Sequence, residues 1–322
     1  MKYISKLTLI SLGCLLFAAC NKPSSTETRI GIIVPLEHTA MTEIVNGFKK
    51  TLAEKYSGPV TIDVENAEAD ANLERAIIQK MRDGHYTMVV PIGVDATEMS
   101  VAMIHDTPIV SLASDFSDKE RHQLHPCDIA VVHDEISTDQ LLRFIHATFP
   151  KLKNLTLVHS SANKVFPEVK ETIAVGEKYG IAIHPMMVSS LAEMYSIGQS
   201  IPNNTQGIFI LKDSLVASGI GTLAQIANKQ HIPLISSDEG SVQNGAGFAL
   251  GVHEQQIGEE GAKLAVDILK NKSACDLPII AMQKLTVFIN PNALQQSGQN
   301  VRVIKQAAAQ FHYPTENRDK LS

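Results

Sequence analysis

The chain has 322 residues, with 34 acidic against 28 basic, a formal net charge of −6, 44% hydrophobic residues and no Trp. It holds no basic block and no interleaving of aromatic with basic side chains, which excludes nucleic acid as an expected partner. The length exceeds that of one ordinary domain and points to two lobes, each with apolar residues enough for its own core.

Met1-Lys2-Tyr3-Ile4-Ser5-Lys6 is followed by an apolar stretch from Leu7 to Ala19 and then Cys20, the order of a secretory signal. The stretch is shorter than the roughly 18 to 20 residues that a membrane-spanning helix needs. Leu16-Phe17-Ala18-Ala19-Cys20 resembles a bacterial lipobox, with Phe17 where Leu is usual. In such motifs the thiol receives a diacylglycerol and becomes the new N-terminus. An ordinary signal cut near Ala18 is the alternative. The next residues, from Asn21 to Thr28, are small and polar and suit a tether. The expected product is exported and lipid-anchored at Cys20 to the bacterial cell envelope.

From Arg29 onward, short β-branched runs alternate with amphipathic helical stretches. Strands are predicted over 29–34, 60–65, 87–91, 108–112, 154–159, 181–188, 207–211 and 233–236. Helices are predicted over 39–56, 71–83, 96–105, 138–149, 165–179, 191–200 and 215–230. Residues 115–134 are irregular and polar, with one short apolar strand predicted over Ile129 to Val132, and read as a crossover. A return strand over 245–252, a helix over 255–270 and strands near 277–282 and 284–289 follow.

This order is an α/β architecture of two doubly wound lobes joined by multiple crossings, with an interlobe ligand cleft. The expected division is a signal peptide at 1–19, a tether at 20–28, a first lobe of 29–131 with 252–278, and a second of 132–251 with 279–300. The tail, 301–322, reads as peripheral.

Several segments carry a family resemblance. They are Ile30-Gly31-Ile32-Ile33-Val34-Pro35-Leu36-Glu37-His38 with Gly47-Phe48, then Asn66-Ala67, Lys212 to Ser218, Ile232 to Asp238, Gly245-Ala246 and Phe288 to Ala293. In order and spacing they resemble substrate-binding lipoproteins of ABC transporters, of the tryptophan/tyrosine type. The resemblance implies a type I periplasmic binding protein fold of two Rossmann-like lobes with a three-segment hinge, closure on a small molecule, an amino-acid ligand that can be aromatic, and a permease with its ATPase as partners. A sensory lipoprotein signalling to a membrane receptor is the alternative. The chain departs from the family pattern at Thr39, where Pro is usual, at Thr42, where Asp is usual, and in the loop from His159 to Lys164, which lacks the usual acidic residue.

An amino acid needs donors for its carboxylate and acceptors for its ammonium, and strand-to-helix loops supply free backbone N–H groups. In the first lobe the loops in question hold Glu37, His38, Gly93, Val94, Ala113 and Ser114; in the second they hold Ser160, Ser161, Asp213, Ser214 and Asp238. Asp213 and Asp238 are candidates for the ammonium, with helix capping as the competing role. Glu37 could equally cap the first helix, and Lys212 is expected to be solvated.

No zinc pattern fits His122, His125, Cys127 and His133, so no metal and no cofactor is expected. No Gly-x-Ser-x-Gly elbow, Walker loop or His-Glu-x-x-His occurs, so no enzyme is expected. Cys127 and Cys275 are either a disulfide or two separate thiols.

Overall fold

The computed structural model describes residues 27–124, 127–162, 165–198 and 200–318. The signal segment, Cys20 and nearly all of the tether lie outside the described residues, as do His125, Asn163 and Lys164.

The first series of elements is β1 (Thr28–Val34), α1 (Thr39–Lys55), β2 (Val60–Asn66), α2 (Ala71–Asp83), β3 (Met88–Pro91), α3 (Val94–Met103), β4 (Ile109–Leu112), α4 (Asp118–Gln123) and β5 (Ile129–His133). The second is α5 (Thr138–Thr148), β6 (Asn154–Ser160), α6 (Val165–Lys178), β7 (Ala182–Val188), α7 (Leu191–Ile197), β8 (Ile208–Ile210), α8 (Ser214–Ser218), α9 (Ile220–Gln230), β9 (Leu234–Ser236), α10 (Glu239–Gln243) and β10 (Phe248–Gly251). The chain then forms α11 (Glu254–Leu269), β11 (Ile280–Ala281), β12 (Thr286–Ile289), α12 (Pro291–Gln296), α13 (Val301–Gln310) and β13 (Thr315–Asn317).

Among the described residues the strands form two sheets, in the orders β11-β5-β4-β3-β1-β2 and β13-β12-β10-β9-β8-β6-β7. Each is parallel except that β12 runs antiparallel to β10, with Phe248 opposite Ile289. Central strands read as unbroken apolar runs because helices cover both faces; β3 and β4 are buried at every position. The two lobes are therefore doubly wound α/β units, and the chain passes between them three times, after His133, after Gly251 and after Ala281.

Four differences from the sequence reading have physical causes. The short strand expected over Ile129 to Val132 forms as β5, but it joins the first sheet, pairing with β4 from Ile109–Ile129 to Leu112–Val132, so the segment is more than a crossover. Its approach carries α4, started by a capping box in which Ser117 and Glu120 satisfy each other's backbone N–H. The third passage falls beyond 278, because Ile280 pairs with Val132 in the first sheet. The tail is not peripheral: α13 buries Ile304, Ala307 and Ala308, and β13 adds to the second sheet beside β12. The single helix expected over 215–230 is broken at Gly219, where a Cβ would lie 2.9 Å from Met194 Cε.

The first lobe is organised by α1 packed on α11. A Cβ on Gly47 would lie 2.1 Å from the carbonyl oxygen of Gln255, and one on Gly258 would lie 1.9 Å from that of Ile44. Both distances are impossible for a larger residue, so the two helices meet backbone to backbone. Phe48 and Leu52 of α1 and Ile257 and Ala262 of α11 are buried in the core beside this contact.

Cys127 and Cys275 form a disulfide with Cα atoms 5.7 Å apart across 148 residues of sequence. It ties the start of β5 to the turn before β11. Replacing both with Ser is expected to cost about 2–5 kcal/mol, read as a lower urea midpoint. An unchanged midpoint would show that the bond closes no entropically useful loop.

Candidate functional site

The carboxyl ends of the two sheets face each other across a cleft of about 480 Å³, a size typical of small-molecule sites. The loop after β1 brings Pro35, Leu36 and His38 to its wall, the start of α3 brings Gly93 and Val94, and the loop after β4 brings Ala113 and Ser114. From the second lobe come Lys212, Asp213, Ser214, Ser237 and Asp238. Glu37 is exposed, and neither it nor Ser160 or Ser161 is among the lining residues.

His38 is the N-cap of α1: its Nδ1 accepts from the Ala40 N–H at 3.2 Å. The neutral ring therefore carries its hydrogen on Nε2, which is buried and has no hydrogen-bond partner. The side chain is only 8% exposed. An unsatisfied buried donor costs on the order of 1–3 kcal/mol, a cost that an incoming acceptor removes.

Gly93 caps α3 with φ +92° and open space where a Cβ would stand, so the chain turns there in the left-handed region that glycine tolerates. Ala113 also has a positive φ, of 52°. Behind it runs a chain of hydroxyls. Thr97 Oγ1 donates to the Gly93 carbonyl at 2.7 Å, Ser111 lies 2.7 Å from Thr97, and Ser114 contacts Ser111. Each hydroxyl has one hydrogen, and that of Thr97 is committed to the carbonyl. Ser111 therefore donates to Thr97 and Ser114 to Ser111, which leaves Ser114 Oγ as an acceptor.

Asp213 and Asp238 line the cleft and also cap helices. Asp213, 2% exposed, accepts from Val216 N–H at the start of α8 and from Ser160 N–H at 2.5 Å. Asp238 accepts from Ser241 N–H at 2.6 Å and from the Ser236 hydroxyl at 2.7 Å. Each carboxylate keeps lone pairs beyond these bonds. Ser160 thus supports Asp213 instead of reaching the cleft.

Lys212 differs from its expected solvated state. Its Nζ donates to the carbonyl of Asp134 at 2.7 Å and to the Asp134 carboxylate, an ion pair between the lobes beside the first passage. The His and Cys cluster of the approach to β5 is likewise committed: Cys127 is in the disulfide, His122 contacts the Asp118 carbonyl at 2.7 Å and His133 that of Phe116 at 3.0 Å. Among the described residues no group of three or more His, Cys, Asp or Glu could hold a metal ion.

The sequence reading missed Glu254, the first residue of α11. It lines the cleft, is 4% exposed, and accepts from the Glu239 N–H at 2.8 Å through Oε1 while Oε2 has no partner. Burial, then the Glu239 side chain beside it, then the charge of Asp238, push its carboxyl well above the usual carboxylate range. Glu239 is itself paired with Arg318, whose guanidinium also holds Glu316 at 2.6 Å. Nothing in the local sequence marks Glu254; Gln255 and Gln256 beside it look like any solvated first turn.

Two doubly wound lobes around such a cleft are the architecture of type I periplasmic binding proteins. A solved Streptococcus pneumoniae ABC domain in complex with L-Trp superposes with a TM-score of 0.79 at 22% identity, covering 87% of this chain and 98% of that one. The chain belongs to the ABC transporter substrate-binding protein family, whose model matches residues 29–310. An uncharacterised Rickettsia prowazekii (strain Madrid E) protein is 38% identical over 263 residues, 81% of this chain and 82% of its own. A Clostridioides difficile (strain R20291) tyrosine-binding protein is 23% identical over 303 residues, 88% of this chain and 86% of its own. Members of the family are extracytoplasmic receptors that bind a small molecule and serve a transporter.

The Glu254 carboxyl gives stability a pH dependence of defined sign. Below about pH 4.5, the ordinary value for Glu, folded and unfolded states both hold the proton. Above it the unfolded state releases the proton first. Stability therefore falls by about 1.4 kcal/mol for each pH unit traversed until the folded carboxyl ionises too. Glu254→Gln keeps the acceptor for Glu239 N–H and is expected to abolish this fall. Urea unfolding of both proteins at several pH values checks it; parallel curves would mean that Glu254 is ionised in the fold.

Proposed function

We propose that this protein captures an amino acid in its interlobe cleft and delivers it to a membrane permease driven by an ATPase, while a lipid on Cys20 keeps it at the membrane. One observation carries the reading: two unpartnered polar atoms, His38 Nε2 and Glu254 Oε2, lie on side chains that line the same small cavity as acceptors with lone pairs to spare. His38 Nε2 and the Glu254 carboxyl offer donors, and Ser114 Oγ, Asp213 and Asp238 offer acceptors. A carboxylate beside an ammonium is the small molecule that uses both. The tyrosine-binding relative and the L-Trp complex support an amino acid as the ligand class.

Ligand entering between lobes that the chain crosses three times shifts the equilibrium toward a closed form, and the closed form is what the permease engages. The ligand should raise the melting temperature of the protein. A thermal-shift screen of amino acids, peptides, purines and sugars tests this, and silence throughout would overturn the reading. Asp213→Asn and Asp238→Asn keep the helix caps but remove the charge. For an amine-bearing ligand, the substitution at the residue that meets the ammonium should weaken binding by about 1.5–3 kcal/mol. Affinities equal to wild type in both variants would remove these carboxylates from ligand contact.

The lipid anchor is tested separately, by expressing Cys20→Ser in a bacterial host and separating membrane from soluble fractions. Release of the variant is expected. Its retention with the membranes would show that another feature holds the protein there.

A further inference from the structure

We infer that the ligand is an amino acid with a cationic side chain, carrying one carboxylate against two cationic groups. This rests on the reading of the cleft as an amino-acid site. Ten acidic side chains line the cavity, one of them the protonated Glu254, against a single ammonium, that of Lys212, which is already held by Asp134. The imbalance belongs to both lobes: Glu98 and Asp115 stand on the first and Glu171 on the second, all exposed at the rim. A zwitterion of zero net charge gains little from such a field, whereas a net cation is attracted into it and held.

Acidic side chains alone would not define a site. The second observation is the pair of buried polar atoms already described, His38 Nε2 and Glu254 Oε2, both on lining side chains more than nine-tenths buried and both without a partner. They converge on the start of α10: a Cβ on Gly240 would lie 2.8 Å from His38 Cε1, and Glu254 holds the Glu239 N–H. A carboxyl that burial keeps protonated donates a hydrogen bond, as does the imidazole. The pair therefore takes one anionic oxygen group, the α-carboxylate. Asp238, at the same corner, takes the adjacent α-ammonium. Asp115 and Glu171 of the rim face the second cation.

The wall between corner and rim fits the same ligand. Met41 and Ile44 of α1 and Ile136 and Leu141 at the start of α5 are aliphatic, and no Phe, Tyr or Trp is among the described lining residues. An aromatic side chain would find no ring to stack on, whereas a methylene stem packs on such a surface and carries its charge outward.

Calorimetry with L-arginine, L-lysine and L-ornithine, against the neutral analogues L-citrulline and L-norleucine and against L-tyrosine and L-tryptophan, tests the inference. At least one cationic amino acid should bind about tenfold or more tighter than its neutral analogue, and the advantage should shrink at high salt. The double variant Asp115→Asn with Glu171→Gln changes exposed residues and is expected to fold normally. It should weaken the cationic ligand and leave L-citrulline or L-norleucine unchanged. Equal or tighter binding of neutral or aromatic amino acids would overturn the cationic class and leave the amino-acid receptor standing. Loss of affinity for cationic and neutral ligands alike in the double variant would overturn the assignment of the rim to the second cation. Failure of every amino acid to bind would overturn both readings.

Discussion

Everything at the mouth of the cleft depends on how closely α1 can lie against α11. Gly47 and Gly258 remove the Cβ atoms that would hold the two helices apart, and the carbonyls of Gln255 and Ile44 occupy the vacated space. The consequence is felt one to two turns away, at the N-termini. His38 caps the first helix and Glu254 opens the second, so the glycine contact sets the distance between the two unsatisfied groups. Any larger residue at either position would separate backbones that now touch and would move His38 and Glu254 apart. A packing constraint in the first lobe thus becomes a constraint on binding.

The protonation of the corner is controlled from the opposite end of the chain. Arg318 follows β13, and its backbone N–H donates to the Ile289 carbonyl at 2.7 Å, which fixes the last strand against β12. Its guanidinium lies over Phe288 and pairs with Glu239 and Glu316. Glu239 thereby has an ion-pair partner, while Lys212 acts on Glu254 only through its charge. Burial, the Glu239 side chain and the charge of Asp238 outweigh that influence and push the Glu254 carboxyl up. The tail therefore completes the electrostatics of the cleft as well as the second sheet.

The alternation of strand and helix was legible from Arg29 to Ile289 because the central strands are short unbroken apolar runs and the helices between them bury one face. Strand-end loops were legible as the cleft for the same reason: in a doubly wound sheet, topology puts them there. Side chains whose role depends on a distant partner were not. Lys212 has no local sign that Asp134, 78 residues earlier, will meet it. Glu254 follows His253 in a segment that reads as a solvated first turn, and only burial by the other lobe gives it a function. Asp213 and Asp238 were legible as caps and as cleft residues at once, because one position serves both. The Ser117-Glu120 capping box was present to be read, but its helix, of 6 residues, is too short to show periodicity. β13 has an exposed, polar sequence that finds a place only because β12 offers a free edge.

Closure of the lobes has a further contribution at a position where this chain departs from the pattern it resembles. The Asn244 amide of the second lobe donates to the Thr39 hydroxyl of the first at 2.8 Å and to the Gly240 carbonyl at 2.9 Å. Proline, usual at the position of Thr39, has no hydroxyl to accept that bond. A neutral hydrogen bond of this kind is worth about 0.5–1.5 kcal/mol, a two- to tenfold shift in an equilibrium between open and closed forms. The Lys212–Asp134 pair also ties the lobes but lies beside a chain passage, where hinge motion is smallest, whereas Thr39 adjoins the His38 cap within the cleft. A bond there favours closure before ligand adds its own contacts. On the proposed function, one hydroxyl beside the His38 cap thus adds to closure a contribution that no ligand atom makes.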